Sequence, residues 1–159
     1  MVPIEWQELL LRLGVAALLG AIVGLDRELR HKPTGLRTVT LVSIGAALFT
    51  LLALQMASVT AAAGYDPTGD IGRILQGLVS GIGILGAGVF LHRGGTVRLA
   101  TTGASVWLAG AVGIAAGLGL YILAVAATAL AILVLVGFGT IERRFLEPHE
   151  SSAPPGDDT

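Results

Sequence analysis

Leucine, alanine, valine and isoleucine are not dispersed along this sequence. They gather into five runs, at 9–25, 36–57, 71–91, 99–116 and 118–139. A helix of about 20 apolar residues matches the hydrocarbon thickness of a bilayer, and length alone would otherwise suggest one soluble domain. Charged residues are 13% of the chain, against about 25% in an ordinary soluble domain. There is too little charge to cover a water-exposed surface. The expected fold is all-α: a polytopic membrane bundle of about five transmembrane helices over 1–140, held by glycine-mediated packing. The segment 141–159 is acidic, rich in Pro and Ser, and reads as a short disordered cytoplasmic tail.

The breaks between runs carry turn chemistry. "GYDPTGD" (64–70) places Gly, Pro and Asp together, "HRGGTV" makes a short loop, and "GLG" (117–119) makes a tight turn. Basic residues then set direction. Arg27, Arg30, Lys32, Arg37, Arg93, Arg98, Arg143 and Arg144 fall on one side, with Arg12 and Arg73 on the other. By the positive-inside bias this puts the N-terminus outside and the C-terminus in the cytoplasm. The opening "MVPIEWQELLLRLG" has no basic residue before Arg12. It lacks the positive n-region of a cleavable signal and reads as the first helix of the mature chain.

Residues 81–86, "GIGILG", match the G-x-G-x-x-G fingerprint of a dinucleotide loop. That fingerprint needs a preceding strand and an acidic residue about 20 positions on to hold the ribose. After Asp70 the next carboxylate is Glu142, so no nucleotide is expected, nor a nucleic-acid partner. The glycines have another use. Lipid gives helices little hydrophobic reason to associate, and small residues let backbones approach closely. Gly77, Gly81 and Gly88 fall within about 40° of one another on a helix, with Gly83 and Gly86 on the far side. That spacing predicts close neighbours on two faces of the third span. Gly20-xxx-Gly24 and Gly113-xxx-Gly117 repeat the pattern on the first and fourth spans.

Polar groups inside a membrane are expensive and mark function or paired anchors. Arg98, Thr101, Thr102 and Ser105 project within an arc of about 100°. Ala109, Val112 and Ala116 continue that arc as a small-residue face. Hydroxyls bonding back to carbonyls one turn earlier would explain each Thr singly, though not the alignment with Arg98. In "GLDRELRHKPTGLRT" Asp26 and Glu28 point about 160° apart. Glu28 extends the small face of Ala17, Ala21 and Gly24 and is the expected interior group. Asp26 extends a bulky face, and its expected role is a surface pair with Arg30. Arg12 with Glu8 and Arg73 with Asp70 are expected structural pairs. Asp26, Arg27, Glu28, Arg37, Thr38, Arg98, Thr101, Thr102 and Ser105 therefore form the candidate polar cluster, near the cytoplasmic ends of spans one, two and four. There is no cysteine, and His31, His92 and His149 are scattered without a second ligand at helical spacing. No metal site, cofactor or catalytic set is expected.

Three ordered blocks now fit together. "RLGVAALLGAIVGLDRELRHKPTGLRTVTLVSIGAALF", "RILQGLVSGIGILGAGVFL" and "VRLATTGASVWLAGAVGIAAGLGLY" resemble, in order and spacing, the membrane domain of the MgtC/SapB family, over about residues 9–137. The resemblance implies a small, multi-pass bacterial inner-membrane protein of about five helices. It also implies a link to growth at low magnesium or to stress adaptation, while the missing catalytic set is what argues against an enzyme. Asp26 stands where family members commonly have Glu, and Val39 where a His is frequent, so no imidazole role carries over to this chain. Arg98, Thr101 and Thr102 are retained. Longer members add a soluble C-terminal domain, for which the polar residues after the last span leave no room. The function expected is a regulatory or accessory factor working through helix contacts with a membrane-protein partner or a homo-oligomer. The alternative is a Mg2+ or proton carrier or channel built by an oligomer. Against transport by one chain, the third span has no polar side chain between Ser80 and Leu91.

Overall fold

The structure is a computed structural model. It describes the backbone of residues 4–91 and 97–145 and the side chains of residues 4–89 and 100–137. Five helices run in order: α1 (Trp6–Leu29), α2 (Leu36–Ala62), α3 (Thr68–Leu91), α4 (Val97–Gly117) and α5 (Tyr121–Phe145), with no strand among the described residues. Residues 76–90, which hold the nucleotide-like fingerprint, lie inside α3. Without a strand the glycines there form no phosphate loop.

The apolar runs fix the helices, which extend past the hydrophobic limits read from sequence. α1 starts at Trp6, α2 runs on to Ala62, α3 begins at Thr68, and α5 continues through residues 141–145, which the sequence had assigned to the tail. The remainder, 146–159, and the loop 92–96 lie outside the described residues. Three helices end in one way. At the end of α1, Lys32 N–H donates to Arg27 C=O and His31 N–H to Glu28 C=O. The same paired bonds recur at Tyr65 and Gly64, and at Leu120 and Gly119. This double bond pattern needs a left-handed residue at the exit, usually Gly. Gly64 (φ 85°) and Gly119 (φ 78°) supply it, while α1 uses His31 at φ 51°.

The core is inverted relative to a soluble protein. Its buried positions are mostly small, among them Ala16, Gly20, Ser43, Ala46, Ala47, Ala109, Gly113 and Ala116. Leu18, Ile22, Leu41, Phe49, Leu52, Ile122 and Leu133 are exposed. Lipid accepts bulky aliphatic groups at no cost, and close helix approach requires small ones. α1, α2 and α4 form the centre. Ala16, Ala47 and Ala116 meet at one level and Val23, Val39 and Ala109 at another. Ser43 Oγ on α2 donates to Ala16 C=O on α1 at 2.8 Å.

The remaining helices flank this trio. α5 packs through Ala124 against Leu19, Val112 and Ala115, and α3 packs through Ile82 against Ala46 and Val106. Of the apolar spans, 56% of that in α4 is buried and only 11% of that in α3. α3 is a peripheral helix with most of its surface uncovered. α1, α2, α3 and α4 are each long and apolar enough to cross a membrane, and the described apolar part of α5, Tyr121–Gly137, is shorter. Trp6 and Tyr65 are exposed at the end where α1 begins and α2 finishes, a level suited to an aromatic belt.

Candidate functional site

The interior face of α1 is Ala16, Leu19, Gly20, Val23, Gly24 and Arg27. These repeat at three- and four-residue steps, so the last turn buries Arg27, at 2% exposure. Its guanidinium is held on both sides. Nη2 donates to Pro33 C=O at 2.7 Å and to Thr102 Oγ1 at 2.7 Å. Nη1 donates to Ser105 Oγ at 2.9 Å, and Nε to Thr34 C=O at 3.0 Å. Ser105 in turn donates to Thr101 C=O. One side chain thereby ties the α1–α2 loop to the first turns of α4.

All four acceptors are neutral. Among the described residues no carboxylate lies within ion-pair distance of Arg27. Its neighbour Asp26 is engaged by Arg30 Nε at 2.8 Å. A buried guanidinium does not discharge by losing a proton, so its cost is met by directional hydrogen bonds, which Arg supplies from a rigid fork. The loop bends to present them. His31 and Thr34 both take left-handed φ, 51° and 57°, a conformation that costs non-glycine residues about 1–2 kcal/mol each. Such strain persists where surrounding contacts over-determine it.

The placements of the other predicted residues are mixed. Asp26 pairs with Arg30, as expected. Glu28 is not in the bundle interior; it is exposed, and its Oε2 accepts the Leu36 N–H at 3.0 Å, closing the N-terminus of α2. The expected interior face was one residue out of phase. Ala17 and Ala21 are only half-buried, and the buried line runs through Gly20 and Val23 to Arg27. A Cβ at Gly35 would strike the Glu28 carboxylate, so any larger residue there would have to turn that exposed side chain aside. Arg37, Thr38 and Thr101 are exposed. The backbone of Arg98 lies in α4, and its side chain is outside the described residues. The structure thus joins Arg27, Thr102 and Ser105 and leaves Glu28, Arg37 and Thr38 apart from them.

The glycines divide as well. A Cβ at Gly20 would lie 2.7 Å from Ser43 Cβ, at Gly24 2.8 Å from Leu36 Cα, and at Gly117 2.8 Å from Ala47 O. At Gly113 it would strike the Ser43 carbonyl, and at Gly86 it would lie 3.1 Å from Gly103 O. At Gly77, Gly81, Gly83 and Gly88 it would meet nothing within 4 Å. The expected second close face of α3 has no neighbour among the described residues, because α3 sits at the edge of the bundle. Beside it, α2 and α3 enclose an open apolar groove of about 700 Å³, floored by Gly45, Gly77 and Gly81 and walled by Leu41, Phe49 and Leu85.

At the opposite end a second polar group holds the α4–α5 turn. Arg12 Nε donates to Glu8 Oε1 at 2.8 Å and Nη1 to Gly117 C=O at 2.9 Å, and Tyr121 Oη donates to Glu8 Oε1 at 2.8 Å. The Glu8–Arg12 pair was expected; Gly117, Tyr121 and the Pro33 and Thr34 carbonyls were not. Sequence carries no local signal for partners this far apart. Arg73 and Asp70 stand 3.8 Å apart and exposed. No group of three His, Asp or Glu that could hold a metal occurs among the described residues.

These features define a polytopic helical membrane protein with a small-residue core and an internally bonded arginine. The chain belongs to the MgtC family, whose profile matches residues 13–144. It is 36% identical over 147 residues to Protein SrpB of Synechococcus elongatus, covering 87% of this chain and 79% of that protein. It is 41% identical over 119 residues to Protein MgtC of Salmonella typhimurium and to Protein MgtC of Brucella abortus, covering 75% of this chain in each case. The chain spans about half the length of those MgtC proteins, 47% and 46% respectively. No solved structure matches it.

Proposed function

We propose that this chain is a regulatory or accessory protein of the bacterial inner membrane, with its N-terminus outside and its C-terminus in the cytoplasm. In this reading it works by docking another membrane-embedded helix rather than by passing an ion through itself. The observation that carries the reading is α3. Its Gly77, Gly81 and Gly88 look onto open space, in a helix that borders an apolar groove. Glycine is the poorest helix former after proline, and lipid has no use for it, whereas an incoming helix does.

The interior supports the same reading. Ser43, Thr50, Thr102, Ser105 and Thr128 are buried, and each hydroxyl is bonded to a backbone carbonyl or to Arg27. These five hydroxyls are committed; among the described residues Thr40 Oγ1 alone is buried without a hydrogen-bond partner, and one isolated hydroxyl gives an ion no continuous path. The family resemblance supplies the setting, magnesium limitation or envelope stress. The test is growth of a deletion strain at limiting Mg2+, complemented by wild type and by Gly81→Leu. Wild type is expected to restore growth and Gly81→Leu to fail while remaining folded. Purified protein in proteoliposomes is expected to give no Mg2+ flux above empty vesicles. Flux from the protein alone would overturn the proposal.

A further inference from the structure

The lipid-facing sides of the helices are not alike. α1 shows Leu11, Leu18, Ile22 and Leu25, α2 shows Leu41, Leu48, Leu52 and Met56, and α5 shows Ile122, Leu123, Leu130 and Leu133. α3 shows the bulky Val79, Ile84 and Leu85, at 40%, 73% and 57% exposure, but also Gly77, Ser80, Gly81, Ala87 and Gly88. A face that met only acyl chains would have no use for the glycines. Between the bulky groups they leave a stripe that admits a backbone.

Its outer end says what that backbone belongs to. Asp70 and Arg73, at 66% and 84% exposure, project from the same half of α3 as Gly77, Gly81 and Gly88, about 60° from each other. Among the described residues their ion pair is with each other, loose at 3.8 Å. Two copies inserted in the same direction and related by an axis along the membrane normal place residue i of one against residue j of the other, and j against i. An acid and a base on one face then satisfy each other twice. The feature is self-complementary, and it continues the glycine stripe.

We propose that the occupant of the α3 face is α3 of a second copy, in a parallel dimer packed through Gly77, Gly81 and Gly88, with Asp70 of each copy paired to Arg73 of the other. This rests on the reading of α3 as a helix-docking surface and names the helix it docks. Lipid exposure strengthens the arrangement, because glycine approach lets dispersion and weak backbone contacts replace acyl chains along the whole stripe.

The chain has no cysteine, so a single introduced thiol reports cleanly. Ile84→Cys in native membranes is expected to give an oxidative dimer about tenfold more readily than Ile122→Cys on α5, where the side chain is 89% exposed. Adding Gly81→Leu is expected to remove that dimer without lowering the thermal stability of the monomer, since space at Gly81 is open. Asp70→Arg alone is expected to weaken the dimer, and Asp70→Arg with Arg73→Asp to restore it. Equal cross-linking at positions 84 and 122 would mark random collision and overturn the dimer. Cross-linking of Ile84→Cys to a different polypeptide, or to photoreactive lipid alone, would also overturn it. The different polypeptide would leave the docking reading standing. If Gly81→Leu changed neither cross-linking nor growth at low Mg2+, both would fall.

Discussion

Arg27 offers a quantitative test of the idea that geometry, not charge alone, holds this end of the bundle together. Arg27→Lys keeps the charge but replaces a planar fork by an ammonium with three donors. Arg27 makes four bonds, two to the loop carbonyls of Pro33 and Thr34 and two to Thr102 and Ser105. Three nitrogens share these bonds, Nη2 alone reaching both Pro33 and Thr102, so a single ammonium nitrogen keeps at most about two of the four. Losing two hydrogen bonds from a charged donor, at about 1.5–3 kcal/mol each, predicts a destabilisation of about 3–6 kcal/mol. Thr102→Val removes one acceptor with little change of shape and is expected to cost about 1.5–3 kcal/mol. The double variant should be less destabilised than the sum, with a coupling of about 1 kcal/mol or more, because the shared bond is lost only once. Equilibrium unfolding in mixed micelles measures all three. If Arg27→Lys matched wild type, or if the two changes added independently, the four-bond assignment would be refuted.

Other consequences are as specific. Gly113→Ala, whose Cβ would strike the Ser43 carbonyl, is expected to destabilise by about 1–3 kcal/mol. Gly81→Ala, facing open space, is expected to stabilise the monomer by up to about 1 kcal/mol through helix propensity; thermal unfolding of dilute, detergent-solubilised monomer checks both. Glu28→Ala should cost only about 1 kcal/mol, the scale of a lost helix cap, and leave the Arg27 contacts intact, read by hydrogen exchange at Leu36. In the α2–α3 loop, the Thr68 hydroxyl and N–H donate to Asp66 and hold its carboxyl below the usual value. A lowered folded pKa stabilises above the unfolded value near 3.9, and the benefit goes as pH falls through the folded pKa. Exchange at the first turn of α3 should therefore accelerate below about pH 4, and Asp66→Ala should abolish that dependence.

The helices were legible because the bilayer imposes a length on apolar runs, and because "GYDPTGD" and "GLG" are strong breakers; the boundaries shifted where capping bonds, not hydropathy, end a helix. Asp26 with Arg30 was legible as an i,i+4 pair. The phase of the α1 interior was not. Ala17, Ala21 and Gly24 look like a packing face from size alone. Gly20 and Val23 instead fix the buried line, by meeting Ser43 and Val39 across to α2. That error of one residue exchanged Arg27 for Glu28. The partners of Arg27 lie 75 and 78 positions away, and helical periodicity cannot register one helix against another. For α3, the expected close neighbours on two glycine faces reduce to one, at Gly86, among the described residues, because helical periodicity cannot say that this helix stands at the edge.

A lipid-embedded arginine has two ways to live: bonded inside the protein, or stretched to a lipid phosphate. Solid-state NMR of isotope-labelled protein in bilayers, with dephasing of the Arg27 guanidinium measured against Thr102 and Ser105 carbons and against lipid 31P, distinguishes them. The Arg27 signals are assigned by their loss in Arg27→Lys. Close contact with Thr102 and Ser105 and none with phosphorus is the predicted result. Strong phosphorus dephasing without the protein contacts would contradict the buried knot, and with it the packing of α1 on α4 described here.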